Sequence, residues 1–149
     1  MIRYTPVMIQ DQVALEKLQV FLRLNKLPAD DIKLEGSLYF GYHDEGGDLA
    51  GSGGLELYGT TALLRSVAVQ EKSRNRTLGN KIVEDIIYKA KSLKIKEIYL
   101  LTETAHDYFI NKGFQDVSRE FIPETIKRSA EFSHVCPTSA LAMKFTISK

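Results

Sequence analysis

Hydrophobic and polar positions along the chain recur with two periods, and each period predicts a different kind of element. From Asp11 to about Asn25, Val13, Leu15, Leu18, Phe21 and Leu22 recur at helical spacing, with Asp11 placed to cap the first turn. Leu78, Ile82, Ile86 and Ala90 form an i, i+4 row along a second predicted helix, Thr77 to Leu93, and Val83 and Ile87 widen its apolar face. "SLYFGYHD" and "DLAGSGGLELYG" flank the turn "EGG" and predict a hairpin. "TALLRSVAV" is apolar on both faces, as a strand at a sheet centre is, and "KEIYLLTET" reads as another buried strand. Residues 2–7 predict a short strand, and "LPADDIKLEG" a connection with room for a short helix after Pro28. "AHDYFINKG" predicts a short helix closed by Gly113, "FQDVSRE" a strand, Pro123 to Phe132 a helix, and "SALAMKFTI" a last strand. The order β-α-β-β-β-α-β-α-β-α-β is that of an α+β domain, a central mixed β-sheet flanked by helices.

Nothing in the sequence invites a domain cut, so residues 1–149 are expected to form a single domain. The formal charge of +1 lacks the basic excess of a general nucleic-acid binder. A single cysteine, Cys136, excludes an internal disulfide and fits a reducing compartment. A small buried core thiol is its default role. No apolar run approaches the ~20 residues that cross a bilayer, and "MIRYTPVMIQDQ" lacks the apolar core of a signal peptide. The expectation is a soluble cytoplasmic protein with no nucleic-acid or membrane partner. His43, His106 and His134 are scattered without ligand spacing, so no metal is expected.

The most informative stretch is "SVAVQEKSRNRTLGN", a strand, a basic loop and a helix start. The first amide N–H groups of such a helix are unpaired, and its dipole places about half a positive charge there. Arg74 and Arg76 add two more charges, which suits a pyrophosphate. With one glycine, Gly79, spacing alone favours a basic surface connection with a plain helix start.

This stretch resembles the acetyl-CoA signature of the Gcn5-related N-acetyltransferases: Arg or Gln, two variable residues, Gly, one variable residue, then Gly or Ala. Arg74 matches the first position and Gly79 the last, Thr77 stands in place of the middle glycine, and Asn75 stands where many members have a further glycine. At the middle position Thr77 must keep a negative φ or offer its hydroxyl as a ligand. The element order matches the same fold over nearly the whole chain. In the second half, "ALLRSVAV", "IYLLTETAHDYFINKGF" and "SREFIPETIKRSAEFSHVCPTSALAM" resemble the small acetyltransferases of arsenic resistance and, more loosely, the acetyltransferase domain of N-acetylglutamate synthases. The resemblance implies acetyl-CoA as co-substrate. It implies a glutamate-like amino acid, or an analogue such as phosphinothricin or arsinothricin, as the amine acceptor. A homodimer is a common arrangement among such relatives. A binding module that keeps the fold without turnover is the alternative.

Acetyl transfer requires a held acyl carrier, a polarised carbonyl, a base for the ammonium and an acid for the leaving thiolate. The resemblance assigns the backbone of Val67, Ala68 and Val69, the loop residues Arg74, Asn75, Arg76 and Thr77, the helix start Leu78, Gly79 and Asn80, and Phe109 to the acyl carrier. Phe109 occupies the position where many relatives carry a tyrosine acid, and its neighbour Tyr108 replaces that tyrosine only if the helix is rotated. Otherwise Tyr108 is a half-buried tyrosine, and water or the product amine protonates the thiolate. Glu56 is the candidate base, or else an exposed carboxylate between Leu55 and Leu57. His106 is the alternative base, or a helix-start histidine without a role. Arg65, inside an apolar strand, needs a carboxylate partner such as Glu56 or Glu103, or an anionic ligand such as the substrate's α-carboxylate. Thr102, at the end of its strand, joins Arg65 and Glu56 as a candidate substrate contact.

Overall fold

Asp11 opens the first helix as its residue type predicts: its side chain accepts the Ala14 N–H at 2.8 Å. In the computed structural model, which describes residues 3–70, 76–129, 132 and 139–147, this helix α1 spans Gln12–Leu24. It buries Leu15, Leu18, Phe21 and Leu22, while Val13 turns to solvent at 65% exposure, because helix geometry places it off the stripe its neighbours form. The strands are β1 (Thr5–Met8), β2 (Ser37–His43), β3 (Leu49–Tyr58), β4 (Thr61–Val69), β5 (Glu97–Thr102), β6 (Gln115–Asp116) and β7 (Leu141–Thr146). They form one sheet in the order β1-β2-β3-β4-β5-β7-β6. Every pairing is antiparallel except that of β4 with β5, so the sheet is mixed. Helix α2 (Arg76–Ser92) makes the crossover between those two strands, α3 (His106–Asn111) follows β5, and α4 (Glu124–Lys127) precedes β7.

Two elements are shorter than their patterns predict, and a third does not form. Only Gln115 and Asp116 of "FQDVSRE" pair with β7, after which the chain leaves the sheet for a 3₁₀ turn at Arg119–Phe121. Within Pro123 to Phe132, α4 covers Glu124–Lys127. No helix follows Pro28. Ala29 and Ile32 are buried there by side-chain packing against α1 instead.

Helix α2 covers one face of the sheet with the expected row: Leu78, Ile82, Val83, Ile86 and Ala90 are all fully buried against Leu55, Ala62 and Leu64. Gly53 on β3 is what allows this approach, since a Cβ there would lie 2.4 Å from Ile86 Cδ1 and 2.8 Å from Ile82 Cγ2. The opposite face is covered by α1 and, further along, by Ile122 and Ile126 packed on Leu63 and Tyr99.

Two irregularities position the site. Parallel pairing of β4 with β5 runs only from Thr61↔Glu97 to Leu63↔Tyr99, so the strands part while β4 continues to Val69 and β5 to Thr102. Beside this opening β4 bulges. Ser52 pairs with Ala68 and Gly54 with Arg65, which leaves Ser66 and Val67 opposite Gly53 alone. Ser66 adopts φ 59°, a left-handed conformation costly for a residue with a side chain. It is pinned there because Ser52 Oγ donates to its carbonyl at 2.7 Å and Arg65 Nε donates to its hydroxyl at 3.2 Å.

Candidate active site

The bulge shifts the alternation of β4 by one residue, which exchanges the faces its side chains serve. Leu63 packs on the α4 side before the bulge. After it Ala68 packs toward α1, and Val67 and Val69 pack against the α2-side cluster. The backbone at residues 67–69 therefore runs along the open edge of β4 with no β5 ladder opposite it.

The crossover brings the start of α2 to this same end of the sheet. Thr77 lies inside α2 with helical, hence negative, φ, and its side chain is exposed. Leu78 is fully buried, whereas Gly79 and Asn80 are half-buried. Arg74 and Asn75 lie outside the described residues, as does the side chain of Arg76; so do His134 and Cys136.

Helix α3 contributes Tyr108, whose hydroxyl donates to Asn80 Oδ1 at 3.0 Å and would lie 3.5 Å from a Cβ on Gly79. Burial, and then the nearby charge of Glu84, push the Tyr108 hydroxyl above its ordinary pKa, so it stays protonated. Phe109 points into the core at 7% exposure and meets Tyr108 and Phe114 edge-on, with centroids 5.2 Å and 5.3 Å away. The rotation of α3 therefore presents Tyr108, not Phe109, to the start of α2.

His106 lies between two carboxylates, with Nδ1 3.2 Å from Asp107 Oδ1 and Nε2 2.7 Å from Asp116 Oδ1. Hydrogen bonds to Asp107 and then Asp116 raise its pKa. Thr102 Oγ1 accepts the Ala105 N–H at 2.9 Å and so fixes the turn into α3.

Arg65 is buried at 3% exposure. Its Nη1 donates to Asp31 Oδ2 and, at 2.7 Å, to Glu56 Oε2, while Nη2 donates to Asp31 Oδ1 at 2.9 Å. Glu103 is not among these partners, and Asp31 is one that the sequence did not suggest. Tyr58 donates to Glu56 Oε1 at 2.5 Å, and burial followed by contact with Glu56 raises the tyrosine's pKa. Glu56 itself pairs with Leu63, the last β4 residue that also pairs with β5. Glu56, Asp31 and Tyr58 line a cleft of about 510 Å³ whose other walls include Lys33, Ser37, Arg128 and Ser129. Among the described residues no three His, Cys, Asp or Glu gather as metal ligands, and no helix is long and apolar enough to cross a membrane.

The model of the Acetyltransferase (GNAT) family matches residues 12–114, well over half of the chain. The chain belongs to this family. As a GNAT acetyltransferase it is an acyltransferase that uses acetyl-CoA and transfers the acetyl group to nitrogen. Solved structures share the fold. A GNAT-family acetyltransferase from Staphylococcus aureus Mu50 is 17% identical with a TM-score of 0.73, the match covering 97% of this chain and 99% of that one. GCN5 of Tetrahymena is 14% identical with a TM-score of 0.74, covering 97% and 96%. N-acetylglutamate synthase from Neisseria gonorrhoeae, complexed with coenzyme A and L-arginine, is 15% identical with a TM-score of 0.78. All of this chain aligns there, with 34% of the synthase. At such identities the likeness is one of fold.

Residues 64–69 of β4 have no β5 ladder opposite them, and the start of α2 lies at the same end of the sheet.

Proposed function

We propose that this GNAT acetyltransferase acetylates the amino group of a small amino acid, glutamate or a close analogue, bound in the cleft over Glu56. The observation that carries this reading is the position of Glu56. It lines a cleft of small-molecule size and lies across the ladder from the residue where β4 and β5 part. An amine in the cleft and a thioester in the opening would then meet at one place.

In this mechanism acetyl-CoA supplies the activated acyl group, and each residue of the chain has a limited task. The α2 start, with Arg74 and Arg76, binds the pyrophosphate. Thr77 takes part through its backbone, since helical φ requires no glycine. At the bulge the Val67 N–H polarises the thioester carbonyl. Glu56 accepts a proton from the substrate ammonium, which frees the nitrogen lone pair for attack. Tyr108 donates its proton to the departing sulfur, and Phe109, packed in the core, holds Tyr108 in that direction. Thr102 shapes the strand end beside them. His106, engaged at both ring nitrogens, has a positioning task at the base of α3 rather than that of the base. The domain, residues 1–149, is expected to act in the cytoplasm on a small-molecule amine.

The test is acetyl-CoA-dependent thiol release across L-glutamate, L-aspartate, phosphinothricin and a lysine-bearing peptide. Turnover is expected with the small amino acids; turnover with the peptide alone would contradict the proposal.

A further inference from the structure

The cleft over Glu56 is divided by charge. We infer that it selects acceptors bearing a carboxylate beside the amine, with Arg128 and Lys33 as the residues that hold the carboxylate. This rests on the amino-acid reading above and assigns the orientation of the substrate within it.

The floor of the cleft is anionic. Asp31 and Glu56 both turn to the single guanidinium of Arg65, so two carboxylates against one cation leave one formal negative charge. Arg65 cannot also clamp a substrate carboxylate without giving up these partners, because both of its Nη atoms and its Nε donate within the protein. The anionic floor repels a carboxylate and attracts an ammonium.

The rim is cationic. Among the described residues of the rim, Lys33 and Arg128 are exposed and outnumber Glu35. Among the described residues neither side chain makes an ion pair, in contrast with Arg23, Lys81, Lys127 and Lys144, which hold Asp30, Asp85, Glu124 and Glu97. Both rim cations stand beside buried residues. Arg128 caps α4 between buried Ile126 and buried Ser129, and Lys33 follows buried Ile32. A zwitterion matches this polarity in one orientation only, ammonium at Glu56 and carboxylate between Arg128 and Lys33. A diamine would place its second charge against the rim cations, and an uncharged amine would leave them unused. Arginine at the rim adds bidentate geometry that a lysine lacks.

The test compares L-glutamate, its α-amide and 4-aminobutanoate as acceptors for the wild-type protein, Arg128→Met, Arg128→Lys and Lys33→Met. With Arg128→Met the KM for L-glutamate should rise about ten- to a hundredfold, the loss of a charge-assisted hydrogen-bonded contact. Its kcat and the KM for acetyl-CoA should stay within about threefold, since neither involves the rim. The KM for acceptors lacking the α-carboxylate should hardly move. Lys33→Met should act the same way more weakly, and Arg128→Lys should restore part of the loss. Equal KM changes for acceptors with and without the α-carboxylate, or none for either, would overturn the inference alone. A wild-type protein that acetylates no small amine would overturn the functional reading and the inference together.

Discussion

Glu56 lies directly across the β3–β4 ladder from Leu63, the last residue of β4 that pairs with β5. Glu56 is thus one strand away from the point where the parallel strands part, and its side chain lines the cleft. If it is the base, Glu56→Gln should lower kcat by about a hundredfold or more while leaving the KM for acetyl-CoA unchanged. Steady-state kinetics with each substrate varied in turn would read this out. A variant with full activity would remove Glu56 from the chemistry.

Arg65 is the counter-ion for two carboxylates in a nearly closed site. Arg65→Met should destabilise the protein by about 3–5 kcal/mol in urea denaturation, because Asp31 and Glu56 would be left without compensation. Adding Asp31→Asn and Glu56→Gln should recover much of that loss. An Arg65→Met protein of unchanged stability would contradict the assigned pairing.

Tyr108 reaches Asn80 from the neighbouring helix and holds its proton firmly. Tyr108→Phe should lower kcat by about tenfold or more and leave acetyl-CoA affinity within about threefold. Equal activity in wild type and variant would hand the proton to water or to the product amine.

How legible this arrangement was depended on the range of the signal. Periodic signals transferred well: the Leu78–Ala90 row, the Asp11 cap and the hairpin around "EGG" follow from local residue chemistry. The bulge at Ser66 and Val67 was hidden because "TALLRSVAV" reads as an unbroken strand, and no turn residue marks the left-handed position. Asp31 was hidden for another reason. It lies 34 residues before Arg65 in a connection without periodicity, and only the folded sheet brings the two together. Arg128 and Lys33 likewise carried no local signal, since a cation at a rim looks like any solvated charge. The rotation of α3 that selects Tyr108 over Phe109 depends on how Phe109 packs against Phe114.

The two carboxylates at His106 bind its protonated form, so its folded pKa lies above the ordinary value of 6.5. Stability from this contact is fully present below the unfolded pKa and is lost as pH rises through the raised folded one. The melting temperature of His106→Asn should therefore fall furthest below wild type under acidic conditions, with the gap shrinking as pH rises. Thermal scans at pH values spaced across that window would check it; a gap that widens with pH would contradict the assignment.

Gly53 has no room for a side chain under α2. Gly53→Ala should cost about 1–3 kcal/mol, since Ile82 and Ile86 must shift within a packed layer. Chemical denaturation measures this, and an unchanged midpoint would mean that the helix stands further from the sheet.

The meeting of amine and thioester over Glu56 can be seen in a crystal structure of the protein with coenzyme A and L-glutamate. The expected complex has sulfur in the β4–β5 opening near Val67 and Tyr108, with the ammonium within hydrogen-bond reach of Glu56, about 3 Å or one bridging water away. L-glutamate bound elsewhere, or its carboxylate rather than its ammonium facing Glu56, would contradict the proposed mechanism.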